Sequence, residues 1–108
     1  MILQLKEQNI EFSDITYGQS YFVIGIEADY FRILNDHGTP CLYPSYIFEI
    51  ISSDEPEDWI TEFGEDGERY SYSYDLNEVG FFEDFFDGKP SAISKFWHNV
   101  NKTLSKAA

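Results

Sequence analysis

The chain has 108 residues, 43% of them hydrophobic and 19% aromatic, and its 20 acidic against 7 basic side chains give a net charge of −13. That length suits a single domain over 1–108, and the apolar content is enough to offset the entropy of folding, which argues against disorder. The charge disfavours direct contact with nucleic-acid phosphates or with an anionic membrane.

Residues 1–16 are ambiguous: Ile2, Leu5, Ile10 and Phe12 fit a short helix as well as a lead-in strand. The opening Met1–Glu7 has no basic stretch before a long apolar run, so no signal peptide is expected. No apolar run approaches the roughly 18 residues of a membrane span. Together with Cys41 as the lone cysteine, this points to a cytoplasmic protein without an intrachain disulfide.

From Ser20 onward the pattern is that of a sheet. Tyr21–Ile26 is a short apolar run rich in β-branched and aromatic residues, and Tyr30–Leu34 reads as its partner strand. Asn35-Asp36-His37-Gly38 is a turn leading into a returning strand at Pro40–Tyr43, which proline places near a sheet edge. Tyr46–Ile51 is a further strand candidate.

Residues 56–63 admit two readings, a helix opened by Pro56 or a strand through Trp59, Thr61 and Phe63. The strand is preferred. Period-two spacing recurs beyond Gly64-Glu65-Asp66-Gly67, at Tyr70, Tyr72 and Tyr74, which makes a hairpin. Phe81, Phe82, Phe85 and Phe86 then form one face of a short amphipathic helix, broken at Gly88. Pro90 opens a second helix, with Ile93, Phe96, Trp97, Val100 and Leu104 inward and Lys95, Lys102 and Lys106 outward. The expected architecture is α+β: a small curled antiparallel sheet of about five strands, packed by one or two C-terminal helices.

Between Ile33 and Gly88 there are 15 acids and one basic residue, Arg69. They cluster at Asp54–Asp58, at Glu62–Glu68 and at Asp75–Asp87, in or beside turns and helix ends. Solubility is a sufficient reason for such a face. A binding role is the other reading, because a cationic partner relieves the repulsion among like charges and is drawn in faster by the field. Trp59 and the tyrosines within the acidic stretch are residue types typical of interface anchors.

Catalytic chemistry is sparse. His37 and Cys41 are near each other in sequence but lack an orienting partner, and neither histidine has metal-ligand spacing. Asp54 onward fails the calcium-loop pattern, because its glycine is missing and Pro56 stands at a ligand position. No phosphate loop, dinucleotide fingerprint or nucleophile elbow is present, so neither cofactor nor metal is expected and an enzyme is disfavoured.

Gly64–Tyr70 followed by Gly80–Asp87 resembles small uncharacterised bacterial proteins, and Tyr30–Tyr43 resembles the opening strands of an SH3-like barrel. In size and acidity the chain is similar to the immunity proteins of bacterial toxin systems, which neutralise a sister toxin, often a basic nuclease. That resemblance implies an inhibitor of a basic protein partner; the charge bias between Ile33 and Gly88, with its interleaved aromatics, makes Asp54, Glu57, Asp58, Trp59, Glu65, Asp66, Glu68 and Tyr72 the candidate binding residues. A DNA mimic acting on a DNA-handling protein is the alternative, and a small enzyme a more distant one.

Overall fold

The computed structural model describes residues 1–8 and 11–107. Of the ambiguous leading segment, Ile2–Leu5 is a strand and not a helix, while Ile10 lies outside the described residues. Nine elements follow one another: β1 (Ile2–Leu5), β2 (Tyr21–Glu27), β3 (Tyr30–Leu34), β4 (Pro40–Pro44), β5 (Phe48–Ser52), β6 (Trp59–Phe63), β7 (Arg69–Ser73), α1 (Phe81–Phe86) and α2 (Pro90–Ala107). Short 3-10 turns fill Ser45–Ile47 and Tyr74–Leu76. The architecture is α+β, and the sheet has seven strands where about five were expected.

Every pairing is antiparallel, and β2 is the hub. One edge of β2 takes β3, which in turn pairs β4. The opposite edge is shared by two strands in succession: Tyr21 and Phe22 pair β1, and Gly25–Glu27 pair β7. β1 continues to β5 and β7 to β6, so the sheet branches and curls without closing into a hydrogen-bonded ring.

A register shift between Val23 and Gly25 lets β2 serve both faces. Such a bulge inverts the in–out alternation, so Val23 and Ile26 fall on one side and Ile24 on the other. The concave layer gathers Leu3, Leu5, Val23, Phe31, Ile33 and Phe48, with the rings of Tyr43 and Phe48 meeting edge-on at 6.4 Å. Ile24, Tyr72, Leu76, Phe81, Phe96 and Val100 make the second layer, under the helices.

The hairpin reading of 59–73 holds: Trp59 pairs Ser73 and Phe63 pairs Arg69 around the Gly64–Gly67 turn. Tyr46 and Ile47 fall in a 3-10 turn, so that strand begins later, at Phe48. The period-two tyrosine series also stops early, because Tyr74 opens a 3-10 turn and is exposed.

α1 ends in a Schellman motif. Gly88 N–H donates to the Phe85 carbonyl and Lys89 N–H to that of Asp84, which requires the left-handed φ of 77° at Gly88. Pro90 then starts α2, whose buried stripe runs through Ala92, Phe96, Asn99 and Val100. Trp97 and Leu104, expected to point inward, are turned to solvent, because the sheet takes the Phe96–Val100 line and leaves the adjacent one uncovered.

Gly25 is held by packing. A β-carbon there would lie 2.1 Å from the Tyr72 ring, which crosses the glycine from the neighbouring strand. Gly25→Ala is expected to lose about 2 kcal/mol or more of stability, read from urea unfolding, because an extra methyl in a packed layer forces the ring away.

Candidate functional site

The most constructed polar feature of the molecule lies where Tyr72 crosses Gly25. Arg32, on β3, is 7% exposed and donates from Nε to the Tyr72 hydroxyl at 2.7 Å, from Nη1 to the Pro40 carbonyl at 2.8 Å, and from Nη2 to Glu27 at 2.8 Å. The Tyr72 hydroxyl donates to the same Glu27 Oε2. The Phe82 ring lies 4.0 Å from the guanidinium carbon and closes the site from the α1 side. Burial pushes the Tyr72 hydroxyl well above the ordinary tyrosine range, with the hydrogen bond to Glu27 acting in the same direction and Arg32 opposing. The phenol therefore stays protonated and keeps its donor role.

This placement corrects one expectation. Tyr72 was a candidate interface anchor; at 7% exposure it is a core residue whose hydroxyl is already engaged on both sides. The aromatic side chains left on the surface of the hairpin and the segment after it are Phe63, Tyr70 and Tyr74.

The other candidates separate into two places. Glu65 and Asp66 are exposed at the β6–β7 tip and make no ion pair among the described residues. Glu68 belongs to the same turn, but its carboxylate accepts the Asp66 N–H at 3.0 Å and is engaged locally. Asp54, Glu57 and Asp58 instead line a cleft of about 360 Å³ whose other wall carries Lys102 and Lys106 of α2. The acidic stretch is therefore not set apart from the lysine-bearing helix. The fold returns the end of α2 beside the first acidic cluster, which partly offsets its charge.

That cluster is also pinned from within. Arg69 holds both oxygens of Glu55, donates from Nε to Ser71 at 2.8 Å and lies 5.9 Å from the Trp59 ring. Asp58 accepts from the Ser73 hydroxyl at 3.2 Å. Trp59 is half-buried against the concave layer, so only part of its indole is available to a partner.

A second, shallow groove of about 450 Å³ opens directly above the Arg32 network. Its lining comes from the strands, with Glu27, Glu62 and Tyr70, from the segment leading into α1, with Glu78 and Val79, and from α1 itself, with Glu83. Sequence reading missed this groove. Val79 and Gly80 carry no chemical signal, and Glu27 lies on a strand far from the acidic clusters. The fully exposed Val79 beside four carboxylates is the feature that marks the surface as unusual.

Cys41 is half-buried, its Sγ 3.6 Å from Asn35 Nδ2, and desolvation together with Asp14 pushes the thiol up, away from the thiolate. Asn35 instead organises the β3–β4 turn, its Oδ1 accepting the N–H groups of His37 at 2.9 Å and Thr39 at 3.1 Å. Among the described residues no cluster of histidine, cysteine and carboxylate side chains could hold a metal ion, and no helix is long and apolar enough to cross a membrane. No known protein family matches the chain, and no curated protein or solved structure does either.

Two measurements follow from this geometry. Tyr72→Phe leaves Arg32 Nε without its acceptor, so a loss of about 1–3 kcal/mol is expected in denaturant unfolding. Arg69 holds the Glu55 carboxyl below the ordinary glutamate range. A depressed folded-state value means the stabilisation is complete above the ordinary range and fades as pH falls through the lowered one. Glu55→Gln should therefore cost under about 1 kcal/mol at neutral pH, with the difference from wild type vanishing in acid.

Proposed function

We propose that the chain is an immunity-type inhibitor that binds and neutralises a basic protein, a cognate bacterial toxin such as a nuclease, through an acidic and aromatic surface. The observation that carries this reading is how the charge is exposed. Arg32, Arg69, Lys89 and Lys95 are each engaged by a carboxylate, whereas Glu65, Asp66, Asp54 and Glu57 face solvent without an ion pair among the described residues. A surface of this kind offers a basic protein many unneutralised acceptors and speeds its approach.

Exposed aromatics beside the acids supply the apolar contact that such an interface needs. Phe63 is 70% exposed and Tyr74 is 74% exposed, and they stand in the role first given to Tyr72. The extents of 36 × 33 × 29 Å are not those of the rod-like body that would favour a DNA mimic. The curl of the sheet, with Tyr43 and Phe48 meeting across one layer, supports reading it as an incomplete barrel of the SH3-like kind.

Co-expression with the product of the neighbouring gene, followed by affinity capture, tests the reading. A salt-sensitive complex is expected, weakened at least about tenfold by Glu65→Lys with Asp66→Lys, since loss of one well-formed charge contact is worth about 2 kcal/mol. Absence of a complex, or one indifferent to these reversals, counts against it.

A further inference from the structure

We infer that the groove above the Arg32 network is a docking site for an arginine-bearing segment of a basic protein partner. The inference rests on the proposed function and assigns its centre to residues that sequence reading did not select.

Three observations lead there. First, the groove combines a carboxylate rim, from Glu27, Glu62 and Glu83, with the half-exposed ring of Tyr70 and the fully exposed Val79. Carboxylates beside an aromatic face suit a guanidinium, which is planar, weakly hydrated and able to stack while donating in pairs. Second, Glu27 uses only Oε2 for both Arg32 and Tyr72, and Oε1 accepts no hydrogen bond among the described residues. Its side chain is 33% exposed and lines the groove, so this fixed carboxylate keeps an acceptor for an incoming donor.

Third, the fold already binds one guanidinium in this manner next door. Arg32 stacks on Phe82 and pairs with Glu27 from beneath. That network also makes the floor rigid, so little order must be imposed on docking. The charges facing the groove are all negative apart from Arg32, which is neutralised from within by Glu27; of the carboxylates, Glu78 is shared with Lys95 at 3.8 Å. An anionic or purely apolar occupant would leave the rim carboxylates repelled or desolvated. A cationic one relieves them.

The test uses the full chain and two capped peptides, one with two arginines separated by glycines and one with lysines in their place, titrated by amide chemical shift. The arginine peptide is expected to shift the resonances of Tyr70, Val79 and Gly80 and to bind more tightly than the lysine peptide. Glu62→Gln with Glu83→Gln should weaken it about fivefold or more, whereas the equal charge change Glu65→Gln with Asp66→Asn should weaken it less than about twofold, since fully solvated charges outside the groove contribute little. All four positions lie on the surface, and a dispersed spectrum checks that each variant is folded.

Equal losses in the two variants, shifts centred on the hairpin tip, or no shifts at millimolar peptide overturn the groove. The outcomes separate from those of the broader reading. A basic protein captured by co-expression while the peptide avoids the groove removes this site alone. No captured protein removes the inhibitor reading, whatever the peptide does.

Discussion

The crossing of Tyr72 over Gly25 is the contact on which the rest of the architecture depends. It joins three strands through one side chain: Tyr72 starts on β7, passes the glycine on β2 and hydrogen-bonds Arg32 on β3. A buried guanidinium is costly unless its donors are met, and here a phenol, a carbonyl and a carboxylate meet them while an aromatic ring covers the face. Phe82 belongs to α1, so the same cluster also seats the helices on the sheet. Sheet branching, helix docking and the groove floor thus share one cause.

Charge is arranged around this centre with a consistent logic. Four basic side chains, Arg32, Arg69, Lys89 and Lys95, are each held against a carboxylate, and arginine does the more demanding part. Arg32 is buried under Phe82, while Arg69 ties the Glu55 loop to β7 beside Trp59. What remains outward is predominantly acidic. Self-repulsion of this size lowers stability slightly, and a fold with a rigid, branched sheet can carry it. The approach of Lys102 and Lys106 to the Asp54–Asp58 loop tempers one part of the field, whereas no lysine lines the groove.

The acidic surface is consequently not one uniform patch. Three regions differ in what surrounds their carboxylates. The cleft beside α2 holds lysines, the hairpin tip is free and solvated, and the groove sets carboxylates over a rigid aromatic floor. Carboxylates beside apolar surface, as in the groove, are more readily desolvated than the fully solvated ones at the tip.

Much of the local structure was legible in the residues themselves. Period-two spacing on both sides of a glycine-bracketed turn is enough for the β6–β7 hairpin, and Gly88 with Pro90 marks the break between the helices, because both signals act within a few residues. The strand at Ile2–Leu5 is decided by its long-range partners, β2 and β5, on its two edges. On α2, Phe96 and Val100 face inward as expected but Trp97 and Leu104 do not, since helical spacing gives the stripe's period and not how far round the helix the sheet covers. Composition and order along the chain also determined the sign and clustering of the charge. Only tertiary structure decided that Tyr72 turns inward across Gly25, that Lys102 and Lys106 return to the first acidic cluster, and that Glu27 joins Glu62 and Glu83 around one groove. Those facts depend on contacts between residues distant in sequence, and no local pattern encodes which of two apolar faces will find a partner.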